Sequence, residues 1–116
     1  MSDIAQFQAE RLELNEIVMT HANREIKRFF NLDTQTYTDG ALPKKTKELL
    51  GLVASMVLRC DDCIKYHLVE CDKEGFTTAE ITEAFSVALI VGGSIVIPHL
   101  RRAYKAWEEL LDQEGE

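Results

Sequence analysis

Arg59-Cys60-Asp61-Asp62-Cys63-Ile64-Lys65-Tyr66-His67 carries two of the chain's three cysteines and one of its three histidines. The pattern is Cys-x-x-Cys-x-x-x-His. On a helix, Cys60, Cys63 and His67 stand at i, i+3 and i+7, within roughly 60° of one another at about 100° per residue. His67 lies one turn beyond Cys63, in reach to accept or relay a thiol proton. A dithiol beside a base is a redox arrangement, because the thiolate is the reactive species and an adjacent imidazole raises its population at neutral pH. Asp61 and Asp62 are poor mid-helix residues but good first-turn residues. A helix is therefore expected to start there, run to about Glu74 and stop at Gly75. That start places both thiols at a helix N-terminus, which favours the thiolate, while the two aspartates oppose it.

Other uses of these cysteines are possible. A free Cys is often a small buried hydrophobe, and Cys71, two turns further on, is read that way. A structural disulfide between Cys60 and Cys63 would close too small a loop to constrain the unfolded chain much. Zinc would have to recruit Cys71, and four ligands on one face of one straight helix cannot surround a tetrahedral ion. The remaining histidines, His21 and His99, lie far away in sequence.

Outward from this stretch, the chain reads as five helices and no strand, an all-α class. Its 116 residues suit a single domain with a modest core. Thirteen basic against twenty acidic residues leave a net charge of -7, which argues against a nucleic-acid surface or an anionic membrane as partner. No apolar run reaches the roughly 18 residues of a membrane span. The polar N-terminus does not read as a signal peptide, and three cysteines do not read as a secreted disulfide framework. A cytoplasmic setting is expected.

Residues 3–30 read as one long helix, with Ile4, Phe7, Leu14, Ile17, Val18, Ile26, Phe29 and Phe30 at threes and fours. His21 reads as a solvated residue on it. Residues 31–42, rich in Asp, Thr and Asn and closing on Asp39-Gly40, read as a loop. Pro43 then suits the first turn of a helix over residues 43–58. By pattern alone Glu48 is an exposed acid near that helix N-terminus. Thr77-Thr78-Ala79-Glu80 is a capping box opening a very apolar helix that ends at Gly92-Gly93. Its apolar character after Phe85 predicts burial, within the domain or between subunits. Ser94 is expected to cap a last helix to about Gln113, with Pro98 in its first turns and His99 close by.

Glu48, Cys60, Cys63 and His67, spaced Glu-x11-Cys-x2-Cys-x3-His, resemble the motif of the alkylhydroperoxidase D-like branch of the carboxymuconolactone decarboxylase family. Leu42-Pro43-Lys44, Lys47-Glu48-Leu49-Leu50, and Val91-Gly92-Gly93-Ser94 through Pro98 also resemble that family. The likeness spans about residues 41–110, taken as the core of a domain covering residues 1–116, with residues 1–30 as its long N-terminal helix. The resemblance implies an all-helical trimer or hexamer and a Cys60/Cys63 pair cycling between dithiol and disulfide. It assigns Glu48 and His67 to a proton relay toward Cys63, with Cys60 as that thiol's partner, and so moves Glu48 from surface acid to site residue. The substrate would be a small peroxide or disulfide and the electron donor an external dithiol or protein, with no metal or organic cofactor.

Asp62 stands where the prototypes often carry His or Tyr, and its charge disfavours a neighbouring thiolate. The stretch from Gly92 to His99 resembles the decarboxylase side of the family. A lyase acting on a small carboxylate, with His99 or His67 as acid–base group, is therefore the competing enzyme. Outside enzymes, the alternatives are a redox-responsive oligomeric module and a purely structural helical oligomer.

Overall fold

A computed structural model describes residues 2–114, and among them every regular element is helical. There are six α-helices and one short 3-10 turn: α1 Asp3–His21, α2 Arg24–Thr36, α3 Lys44–Leu58, α4 Asp61–Lys73, α5 Thr78–Gly92, the turn Ser94–Val96, and α6 Ile97–Glu114. The chain divides into two compact units, Met1–Lys44 and Lys45–Glu116.

In the first unit, Ser2 opens α1 by accepting the Ala5 N–H at 3.2 Å. The single helix expected over residues 3–30 is two helices. The chain goes extended at Ala22 and Asn23, and Asn23 Oδ1 accepts the Ile26 N–H at 2.9 Å. An Asn side chain that caps a new helix competes directly with helix continuation. The expected loop at residue 31 begins later, because α2 runs on to Thr36. Thr34 and Thr36 return their hydroxyls to the Phe30 and Leu32 carbonyls at 3.2 and 2.8 Å, so these loop-favouring residues satisfy themselves inside the helix. Asp39 then accepts the Lys44 N–H at 2.7 Å, just past Pro43, and α3 begins. Only Ile4 is buried in α1 and no residue is buried in α2. Leu12, Leu14, Ile17, Leu32 and Phe29, the last 71% exposed, face outward.

The second unit holds the core. Leu52 and Met56 of α3, Ile64, Leu68 and Cys71 of α4, Ile81, Phe85 and Ala88 of α5, Val96, and Trp107 and Leu110 of α6 are all buried. Each fully buried large side chain is worth about 1.5–3 kcal/mol relative to exposure. Helices α4 and α6 pack together. The capping box forms at Thr77 and Glu80, with contacts of 3.2 and 2.8 Å. Polar ties then join α5 to α6: Trp107 Nε1 donates to Thr78 Oγ1 at 2.9 Å and Tyr104 Oη to Thr82 Oγ1 at 3.0 Å.

At the α5 end, a Cβ on Gly92 would meet Val96 Cγ2 at 2.5 Å, so the chain there can approach only without a side chain. Ser94 does not cap the last helix as expected. It begins the 3-10 turn without a side-chain cap, and α6 starts three residues later at Ile97. The apolar α5 is buried on one side only. Phe85 and Ala88 face the core, while Val87, Val91 and Ile90, 84% exposed, face out. No helix among the described residues is long and apolar enough to cross a membrane.

Candidate functional site

The cysteine turn begins with an unusual helix ending. Arg59 N–H bonds the Met56 carbonyl at 3.0 Å and Cys60 N–H the Ser55 carbonyl at 3.1 Å, the paired bonds that close a helix through a left-handed residue. That residue is Arg59, with φ +59°. The same motif ends α4 on Gly75, φ +85°, through bonds from Gly75 to Asp72 and from Phe76 to Cys71. A side chain in this conformation costs roughly 1 kcal/mol that glycine does not. The reversal stops α3 and lets α4 restart at once.

Cys60 is the N-cap of α4. Its Sγ accepts the Cys63 N–H at 3.3 Å, and its carbonyl accepts the Ile64 N–H at 2.9 Å. The sulfur thereby takes the place at the helix start that a capping oxygen usually fills. Cys60 is half-buried and Cys63 exposed. The hydrogen bond to Cys60 pushes the Cys63 thiol up to about 11, helped by partial burial and the charges of Cys60 and Asp62. Cys71 is fully buried, as its core reading requires. Burial, then the Glu48, Glu70 and Glu74 carboxylates, push its thiol up to about 12.

Glu48 is not an exposed acid. It shares a face of α3 with Leu52, Ser55 and Met56, at i, i+4, i+7 and i+8, and that face is the core. Its exposure is 0%. His67 shares the buried face of α4 with Ile64, Leu68 and Cys71 and is 7% exposed. The two meet with His67 Nδ1 3.3 Å from Glu48 Oε1. With Nδ1 as the donor to the carboxylate, Nε2 is left as the ring nitrogen able to take a proton. The Tyr66 ring sits edge-on to the imidazole, with centroids 5.1 Å apart.

A second cluster adjoins the cysteine turn. Asp61 Oδ1 lies 2.8 Å from His99 Nδ1, and Arg102 Nε donates to Asp61 Oδ2 at 2.9 Å. Arg102 Nη2 is 3.3 Å from the same His99 Nδ1, a close approach only, since that nitrogen's proton goes to Asp61. Partial burial pushes the Asp61 carboxyl up. The hydrogen bond from His99, the charge and hydrogen bond of Arg102, and the His99 charge outweigh it, and hold the group below its ordinary 3.8. His99 and Arg102 are one turn apart on α6, so a single helix face clamps the first turn of α4.

Of the residues singled out in the sequence, Glu48 and His67 come together, and Cys60 and Cys63 share one turn. His67 is one helical turn from Cys63 on α4. His99 belongs to a separate cluster, and His21 is exposed at the end of α1. Sequence reading missed Asp61 as the partner of His99, and Arg102 altogether; the i, i+3 spacing of His99 and Arg102 is the one local signal. Among the described residues, no group of three or more His, Cys, Asp and Glu is arranged to hold a metal ion.

The sequence profile of the carboxymuconolactone decarboxylase family matches residues 26–109. A Paracoccus denitrificans protein named "Uncharacterized protein 4 in cox locus" is 32% identical over 82 residues, which is 71% of this chain and 74% of that protein. The crystal structure of TM1620 from Thermotoga maritima is similar with a TM-score of 0.92 at 59% identity, over 95% of this chain and 96% of the other. A second crystal structure of TM1620, with a TM-score of 0.90, 59% identity and coverage of 95% and 93%, describes it as a family protein with a suggested involvement in the antioxidative response. Apo-lpg0406 from Legionella pneumophila, of the same family, matches with a TM-score of 0.86 at 24% identity, over 95% of this chain and 98% of the other, a likeness of fold.

Proposed function

The chain belongs to the carboxymuconolactone decarboxylase family, and from that premise we propose that it is a thiol-dependent oxidoreductase, a peroxidase or disulfide reductase of antioxidant type. The observation that carries this reading is the cap of α4: Cys60 Sγ accepts the Cys63 N–H at 3.3 Å with the second thiol in the same turn. The buried Glu48–His67 pair supplies the base on the same helix.

In this reading the two thiols share one cycle. The Cys60 thiolate attacks the distal oxygen of a hydroperoxide, the O–O bond breaks, and Cys60 becomes a sulfenic acid while the alkoxide takes a proton and leaves as alcohol. His67, held by Glu48, draws the proton from Cys63, whose sulfur then attacks the sulfenic sulfur. The S–S bond forms and water leaves. Two thiols and one hydroperoxide have become one disulfide, one alcohol and one water. An external dithiol restores the pair by exchange and is itself oxidised to a disulfide. The cycle calls on no metal or organic cofactor.

The working unit in this reading is a homo-oligomer, a trimer or hexamer. Support comes from the outward faces of Leu58, at 76% exposure, and of Val87, Ile90, Val91 and Ile95, all within the second unit. Large apolar side chains turned outward are the kind of surface that contact with another copy would cover.

Thiol counting before and after one equivalent of peroxide tests the proposal. The expected result is loss of two thiols, a Cys60–Cys63 link by peptide mass mapping, and full recovery with a dithiol. Three unreactive thiols in the folded protein, or a Cys60→Ser, Cys63→Ser variant that keeps full activity, would overturn it in favour of a lyase or structural role.

A further inference from the structure

The reading above leaves one cluster without a role. Asp61 follows Cys60 directly and shares the first turn of α4 with both thiols. A carboxylate there works against a thiolate on Cys60, by like-charge repulsion within a few ångströms. Asp62 adds a second negative charge. Arg59 lies in the connection before the turn. From α6, His99 and Arg102 both face Asp61, with contacts at 2.8 and 2.9 Å. Both oxygens of the carboxylate are thereby engaged by basic side chains from an element 38 and 41 residues away in sequence. Among the described residues no such clamp holds Asp62.

We propose that Arg102 and His99 are positioning residues of the redox site, acting through Asp61: they neutralise its carboxylate and hold the first turn of α4 against α6, so that Cys60 keeps its thiolate despite the Cys-Asp-Asp-Cys sequence. This rests on the oxidoreductase reading, because it assigns a purpose to charge on Cys60. It assigns to α6 a part in the chemistry that no motif around the cysteines contains. The clamp supplies from tertiary structure the compensation that a basic or neutral residue within the motif would supply locally.

The consequences have signs that a merely structural tie does not share. Arg102→Gln leaves Asp61 less compensated, so the thiolate population on Cys60 falls. Asp61→Asn removes the repulsion itself, so the population rises. If Arg102 acts through Asp61, the double variant behaves like Asp61→Asn alone. A tie that only braces the turn predicts instead that both single variants lose reactivity together.

The test uses the reduced full-length protein and iodoacetamide, which displaces iodide to form a thioether on the thiolate. The rate at Cys60 is resolved by peptide mass mapping at pH 7 and across a pH series. Arg102→Gln is expected to slow Cys60 by roughly three- to ten-fold and move its rate profile to higher pH. Asp61→Asn is expected to accelerate it by a similar factor, Arg102→Lys to stay near wild type, and Asp61→Asn with Arg102→Gln to match Asp61→Asn. A slower Asp61→Asn, or an Arg102→Gln rate equal to wild type in a protein with unchanged helical signal, would overturn the inference alone. A wild-type Cys60 that refuses the reagent and never pairs with Cys63 would overturn the oxidoreductase reading, and this inference with it.

Discussion

Glu48 and His67 meet inside the second helical unit at 3.3 Å, both buried; Asp61 and His99 meet at its surface at 2.8 Å, with Arg102 beside them. The shorter contact is the weaker one for stability. Around Glu48 there is little water to screen or replace the partner, so losing His67 would leave a polar group in the core. Around Asp61 water competes for the same groups, and exposed ion pairs contribute little. The surface pair has its leverage elsewhere, one residue from the sulfur that caps α4. Burial sets what a pair does for the fold, and placement sets what it does for the thiols.

The largest expected effect lies on the buried side. Glu48→Ala removes the buried carboxylate beside His67 and leaves a cavity in the core, and should cost about 2–4 kcal/mol in a denaturant titration. Glu48→Gln keeps the volume and an acceptor for Nδ1–H. It should unfold nearer wild type while thiol-dependent turnover falls by about 10²-fold, the weight of a positioned acid–base group. Wild-type turnover in Glu48→Gln would reduce the buried pair to a packing feature.

The surface pair should give a smaller and pH-dependent effect. Asp61 has a folded-state pKa below its ordinary 3.8, so its contribution is present above that value and is lost as pH falls through the folded value. Asp61→Asn should therefore cost no more than about 1 kcal/mol at pH 7, after allowance for solvent screening. It should also flatten the acid limb of the stability curve below about pH 4, measured by urea midpoints across pH. A loss as large as that of Glu48→Ala would erase the distinction between the pairs.

The joint both pairs share should respond least. Arg59 lets α3, which carries Glu48, hand over to α4, which carries His67 and Asp61. Arg59→Gly should gain from a few tenths to about 1 kcal/mol by relieving the left-handed side chain, offset in part by a freer unfolded chain. Gly75→Ala is the mirror experiment. Nothing lies within 4 Å of a Cβ at Gly75, so its expected loss of about 1 kcal/mol is backbone strain alone. Thermal midpoints of opposite sign would confirm that the two helix ends are one motif with different occupants.

The helices around the site were legible wherever the signal was local. Asp61-Asp62 marked the start of α4 and Gly75 its end, and Thr77 with Glu80 marked α5, because caps and first-turn charges act over three or four residues. The break at Asn23 was missed since α1 and α2 share one apolar rhythm with no Gly or Pro between them. Asn23 was visible as a cap only once its side chain was seen to bond Ile26. At Glu48 the spacing to Leu52 and Met56 was present in the sequence, yet charge alone argued for water. The pattern of a face was the better guide than the character of its residue.

What the amino-acid sequence determined by itself was the all-α class, the helix start that gathers Cys60 and Cys63 into one turn, and the one-turn spacing of Cys63 and His67 on α4; Cys60, extended at the cap, stands just outside the helix face that a continuous helix would have given it. What only the tertiary structure decided was the company those residues keep. Glu48 reaches His67 across 19 residues and Asp61 reaches His99 across 38. Such pairings depend on which helix faces pack together, and that is a property of the whole core, not of any short stretch of chain.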